Sequence, residues 1–255
     1  METDNQQNTL NHTSNLALNN ESKSWKRYFS DFLMIFLAVT LGFIAENIRE
    51  YFSDEKTGKE YAISLKEDLI RDTVIIQYTI KKLMKSLENC DTLVHYLREN
   101  KVTKAIDLQK IYEANLLSLG SVGFSLTDRT SEQLKNGGMR FISNKKVTNG
   151  IMGYWETENF LKKQEIAVIA MRQQARDKSY FIFDNKYYSE KIDAKGMREI
   201  ASDVRLMTED YTLLTEFGNR LNHFKNFIRS ITIKDLNQQK KDAIALIKLI
   251  ENEYK

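Results

Sequence analysis

Apolar residues are distributed along this chain in two distinct ways. From Asp31 to Glu50 the sequence reads DFLMIFLAVTLGFIAENIRE, with fourteen consecutive uncharged, mostly apolar residues inside charged ends. Further on, apolar residues recur instead in steps of four and three: Leu69, Thr73, Ile76, Ile80, Leu83, Leu87, Cys90, Val94 and Leu97. That spacing is an a/d seam over about four heptads, with Lys81, Lys82, Lys85 and Glu88 outside it. A seam of this kind must meet a second helix, either a parallel copy of itself or a later segment folding back.

Later segments supply candidates. A shorter apolar stretch covers Ala105 to Leu119. Thr130 and Gln133 have capping-box spacing and Gly137-Gly138 provides a stop, which predicts a short helix over 131–136. Between Val147 and Lys178, Tyr154, Leu161, Val168 and Ala175 repeat at seven. Leu214, Phe217, Leu221, Phe224, Ile228 and Ile231 step three and four, and Leu236 to Tyr254 completes a last amphipathic helix. The predicted fold is all-α, an N-terminal transmembrane helix followed by an elongated helical bundle with coiled-coil-like long helices. Its parts are a disordered polar tail (1–22), a transmembrane helix (28–48), a juxtamembrane linker with a short hinge or helix irregularity at 54–59 (49–60) and the bundle (61–255).

The run at 31–50 has two readings. By length alone, apolar runs of about 10–14 residues are more often buried core helices than spans. Widened to Tyr28–Ile48, however, it covers 21 residues whose strongly polar members, Asp31, Glu46 and Asn47, lie near the ends. At about 1.5 Å per residue it matches the hydrocarbon thickness of a bilayer. Trp25, Tyr28 and Tyr51 flank it with interface aromatics, and Lys23, Lys26 and Arg27 precede it. A membrane span fits better than a soluble core helix. Without a small-x-small cleavage site, it reads as an uncleaved signal-anchor.

On an ideal helix Asp31, Ala38, Gly42, Ala45 and Arg49 fall within about 40° of one another. Ala38-x-x-x-Gly42 is a small-residue pair of the sort that lets two helices approach closely in lipid. Asp31 either faces a protein partner on that stripe or reaches the headgroups, and both readings stay open.

Composition sharpens the picture. The chain has no proline, where average usage of about 5% would give roughly a dozen, in keeping with long uninterrupted helices. The net charge of +3 comes from 38 basic and 35 acidic residues. They are interleaved, with no basic arm or strip, which argues against nucleic acid as a partner. Cys90 stands alone, so an internal disulfide and a cysteine-rich zinc site are excluded. Its place in an apolar seam points to packing rather than reactivity.

Motifs that carry chemistry are missing: there is no Glu-x-x-His pair, HExxH, P-loop or dinucleotide fingerprint, and no cofactor or metal is expected. Glu158, Glu165 and Arg172 are spaced by seven, and the two carboxylates read as the edge of a seam, paired to lysines of another helix. Asp91 and His95 read as a solvated pair. The aromatic segment SYFIFDNKYY (179–188) reads as a buried corner between helices, with a contact surface as the alternative.

In combination, these features resemble a family of uncharacterised single-span membrane proteins of Bacteroidota. The resemblance rests on the span from Asp31 to Asn47, on SLKEDLIRDT (Ser64–Thr73), and on TSEQLKNGGMRFISNKKVTNGIMGYWE (Thr130–Glu156). It covers roughly residues 25–156. It departs at Ile48-Arg49, where members usually carry a tryptophan soon after the amides. It implies a membrane-anchored helical protein and brings no activity or catalytic residues.

Function is therefore expected to lie in association. The leading expectation is a non-enzymatic, oligomeric scaffold, adaptor or sensory input, with the lipid bilayer and a second copy or another membrane protein as partners. Its expected place is a bacterial inner membrane, single-pass, with a periplasmic C-terminal domain. The alternative is a ligand-binding sensor or unfamiliar enzyme, whose polar site would gather Glu132, Asn136, Arg140, Asn144 and Tyr154.

Overall fold

The computed structural model describes the backbone of residues 4–98, 105–120, 123, 125–192 and 198–254 and, from residue 25 onward, nearly all of their side chains. The fold is all-α. Its helices are α1 (Asp4–Arg98), α2 (Ala105–Ser118), α3 (Arg129–Lys135), α4 (Lys145–Ser179), α5 (Tyr211–Phe227) and α6 (Ile233–Glu253). Two short strands, β1 (Tyr188–Ile192) and β2 (Arg198–Ile200), pair antiparallel between α4 and α5. The chain divides into two compact units whose boundary falls between Thr57 and Gly58.

In the N-terminal unit the apolar run is helical throughout and uncovered. Phe32, Met34, Ile35, Leu41 and Phe43 are each more than 60% exposed. The backbone from Asp4, expected to be without regular structure, belongs to the same helix. No glycine or proline precedes Gly42, so nothing in this polar sequence breaks helical hydrogen bonding. The stretch 54–59, expected to hinge, is likewise helical.

The C-terminal unit is built on two apolar clusters. One joins Ala62, Leu65 and Leu69 to Leu134, Val147, Ile151, Tyr154, Ala243, Leu246 and Ile250. The other joins the rest of the α1 seam to Ile111, Leu161, Val168, Phe217, Leu221 and their neighbours. The α1 seam is thus closed within the chain by segments that fold back. Leu69, Ile76, Ile80, Leu83, Leu87, Cys90 and Leu97 are all buried, while Val94 is half-buried and Leu93 takes an inner place. Each such leucine or isoleucine contributes about 1.5–3 kcal/mol of transfer free energy. Cys90 is completely buried, and burial pushes its thiol pKa up to about 12, which leaves a packing residue with little thiolate at neutral pH.

Local signals explain the helix ends. Asn144 caps α4 by accepting from the N–H groups of Lys146 and Val147 at 3.0 and 3.3 Å, and Asp210 caps α5 through Thr212 N–H at 2.8 Å. Gly137, in the left-handed region with φ 115°, ends α3. The capping box expected at Thr130 and Gln133 does not form: Thr130 lies inside the first turn of α3, and its hydroxyl is engaged by α1.

Residues Ile228–Thr232 form a π turn between α5 and α6. The wider turn shifts the apolar stripe by one residue, so Thr232 is buried at 3% exposure and Ile231, expected inside, is 39% exposed. The aromatic corner divides. Phe183 is buried edge-on to Tyr112 (5.0 Å) and Phe217 (5.9 Å), whereas Tyr180 and Phe181 stay exposed. Tyr188 donates its hydroxyl proton to the Tyr112 carbonyl at 3.1 Å. Reaching it draws the chain into the extended β1, the local departure from helix.

Candidate functional site

Between the two apolar clusters lies a layer of buried polar groups. Asp68 and Asp72, one helical turn apart on α1, are each 1% exposed. Asp68 Oδ2 accepts from Thr130 N–H (3.1 Å) and from the Thr130 hydroxyl (2.5 Å). Its Oδ1 meets the guanidinium of Arg129 at 3.4 Å and that of Arg71 at 3.9 Å. Asp72 accepts from Thr127 N–H at 2.7 Å and from the Tyr154 hydroxyl at 2.8 Å. Gln239 of α6 donates to the Tyr154 carbonyl at 3.2 Å, and its own Oε1 is buried without a partner among the described residues. Glu158, 6% exposed, pairs with Lys162 at 2.7 Å.

At i and i+4 the two acids share one helix face, and here that face is buried. They are tolerated because backbone and side-chain donors of the 127–130 segment and of α4 close on them. The carboxylates therefore tie α1 to α3 and α4. Each carboxylate is met by donors of segments far away in the chain, so the layer links those segments to α1. Two segments distant in sequence meet here, with Asp68 of SLKEDLIRDT (64–73) accepting from Thr130 of TSEQLKNGG (130–138).

Burial raises the Asp72 pKa, assisted by the charge of Glu158, against the opposing hydrogen bonds from Thr127 and Tyr154. A carboxyl whose folded pKa lies above its unfolded value contributes stability that is complete below the unfolded value and lost as pH rises through the folded one. Denaturant unfolding at a series of pH values is expected to show that loss just above the ordinary carboxylate range. In Asp72→Asn this component should vanish; an unchanged pH slope would contradict the assignment. Burial and the Asp72 charge likewise push the Tyr154 phenol upward, so it stays a donor.

The residues expected to share a polar site do not converge. Glu132 is exposed and pairs with Lys135 at 3.2 Å. Asn136 is the C-terminal cap of α3, its N–H bonded to the Glu132 carbonyl at 3.0 Å. Arg140 stacks over the Phe141 ring at 4.5 Å. Asn144 caps α4 and donates to Glu253 at 2.6 Å, and Tyr154 points inward to Asp72. Each is used up in capping, surface pairing or core contacts. A groove of about 690 Å³ nearby is lined by Met152, Trp155, Phe160 and Lys163 among others, and by none of the five.

Other expected pairs are rearranged. Glu158 pairs with a lysine of its own helix rather than another. Arg172 donates to the Gly120 carbonyl at 3.3 Å, capping the end of α2; burial and neighbouring Arg176 pull its pKa below the ordinary guanidinium value. Asp91 meets Lys225 (2.6 Å) and Arg229 (3.2 Å) across from α1. The stripe Asp31, Ala38, Gly42, Ala45 and Arg49 is exposed along its whole length. Arg49 is paired to Glu46 at 2.5 Å. Among the described residues no group of three or more His, Cys, Asp or Glu side chains is placed to hold a metal ion.

Compared with protein-family models, curated proteins and solved structures, the chain matches none.

Proposed function

We propose that this chain is a single-pass, membrane-anchored helical protein that serves as an oligomeric scaffold, adaptor or sensory input rather than as an enzyme. The observation that carries this reading is the uncovered apolar run. It lies on a helix long and apolar enough to cross a membrane, and its most apolar stretch is uncovered. A core helix of this chain would be covered by its other helices, and this one is bare.

Lipid is the solvent that suits it. A run with Trp25 and Tyr28 at one end and Tyr51 at the other places aromatic rings at two interfaces. Within the span, Asp31, Ala38, Gly42, Ala45 and Arg49 form the face on which a second copy or another membrane helix packs. The Arg49–Glu46 pair compensates charge at the far end. The C-terminal unit is an elongated bundle whose long helices pack in coiled-coil fashion, held periplasmic at a bacterial inner membrane. The carboxylates of its interior polar layer, Asp68 and Asp72, are engaged by donors of other segments, which supports a structural role for the layer. With its five residues dispersed, the ligand site at 130–155 loses its basis.

Alkaline extraction of membranes is expected to leave the chain in the pellet, and chemical crosslinking in membranes is expected to trap dimers or a membrane partner. Gly42→Ile should diminish the crosslinked species. An extractable protein, or one that stays strictly monomeric and recovers no partner in pull-downs, sinks the proposal.

A further inference from the structure

An open cavity of about 310 Å³ lies where the C-terminal ends of α2 and α4 meet β1 and β2, near the lower end of the range for small-molecule sites. Its two charged lining residues, Arg176 and Arg198, are both cations. Among the described residues neither is paired with an acid. Arg176 donates one N–H to the Leu119 carbonyl, which leaves further donors of its guanidinium available. Arg198 is exposed on β2. Two arginines without an acid partner on one small cavity favour an anion, and their fork geometry suits a carboxylate or a phosphate.

An independent observation concerns Asn115, which lines the same cavity and is only 9% exposed. The hydroxyl proton of Tyr188 is committed to the Tyr112 carbonyl, so Tyr188 must accept from Asn115, whose Nδ2 lies 3.0 Å from its oxygen. That fixes the amide orientation and leaves Asn115 Oδ1 buried with no donor among the described residues. A buried acceptor left unmatched costs about 1–3 kcal/mol. A ligand that brings a donor to it recovers that cost. With no acid lining the cavity, a neutral hydroxyl suits the place better than an ammonium would.

We propose that this cavity binds a small hydroxy acid, its carboxylate held by Arg176 and Arg198 and its hydroxyl donating to Asn115 Oδ1. The inference goes beyond the scaffold reading and is independent of it, since a monomer carries the whole site.

The full chain in detergent micelles can be titrated calorimetrically with L-malate and L-lactate, with succinate and propionate, which lack the hydroxyl, and with inorganic phosphate. At least one hydroxy acid should bind about tenfold or more tightly than its counterpart without the hydroxyl. Arg198→Gln should weaken that binding about tenfold while leaving the unfolding midpoint in place, because Arg198 is exposed. Absence of binding by both hydroxy acids at millimolar concentration overturns the proposal. So does equal affinity with and without the hydroxyl, or phosphate binding as tight as malate. Insensitivity to Arg198→Gln overturns it as well.

Discussion

Replacing Asp68 with alanine is expected to lower the unfolding free energy of the C-terminal unit by about 3 kcal/mol or more. The carboxylate is 1% exposed and satisfies a backbone N–H and a hydroxyl of Thr130, itself 1% exposed. Its removal leaves two buried donors unmatched, and it releases Arg129 and Arg71 from the edge of the layer. Asp68→Asn keeps an acceptor of the same shape and should cost about half as much, the difference between charged and neutral hydrogen bonds. Urea midpoints at constant slope would measure both. A loss under about 1 kcal/mol for the alanine variant would mean that Thr130 finds water instead.

Gly58→Ala provides a test in which the two readings of one residue differ in sign. If Gly58 serves as a hinge, alanine should stabilise the helix by up to about 1 kcal/mol. In the structure, a Cβ at this position overlaps the carbonyl oxygen of Phe141. Because the obstacle is backbone, no side-chain rotation relieves it. A destabilisation of about 2–3 kcal/mol is expected from the resulting displacement. Gly153→Ala is the matched control. Gly153 is exposed on α4 and its Cβ would meet nothing within 4 Å, so alanine there should be neutral or stabilising. The same unfolding measurement on both variants decides the matter; a stabilising Gly58→Ala would restore the hinge.

Gly58 also shows what the sequence could and could not tell. Charge and a glycine suggest a flexible linker, but the close approach of Phe141, more than eighty positions later, leaves no local trace. Periodicity was more informative. Most of the seam from Leu69 to Leu97, Thr73 and Val94 excepted, and the heptad series Tyr154, Leu161, Val168 and Ala175 are buried as their spacing implies, because an apolar stripe on a helix turns toward the core as a unit. Ile231 fails only because the π turn at Ile228–Thr232 inserts a residue that no spacing rule anticipates.

The buried acids were not legible in the sequence. Asp68 and Asp72 each precede a seam position, Leu69 and Thr73, and their burial depends on donors brought by a fold-back across more than fifty residues. Glu132, Asn136, Arg140, Asn144 and Tyr154 were grouped by proximity in sequence. Capping geometry and the two sides of α4 separate them. The cavity between Asn115, Arg176 and Arg198 was illegible for the opposite reason, since its walls come from three segments with no common motif.

The polar layer between the two apolar clusters has a consequence for how the unit comes apart. Cooperative units of unfolding follow contiguous packing, and the apolar contacts of the C-terminal unit fall into two separate clusters. The cluster of Ala62, Leu65, Leu69, Ile151 and Leu246 can therefore melt as a block of its own, with α1 parting from α3 at Asp68 while the larger cluster stays closed. Such a partially open form would be the first species reached under strain, and Asp68 and Asp72 are the latch that sets how rarely it is visited.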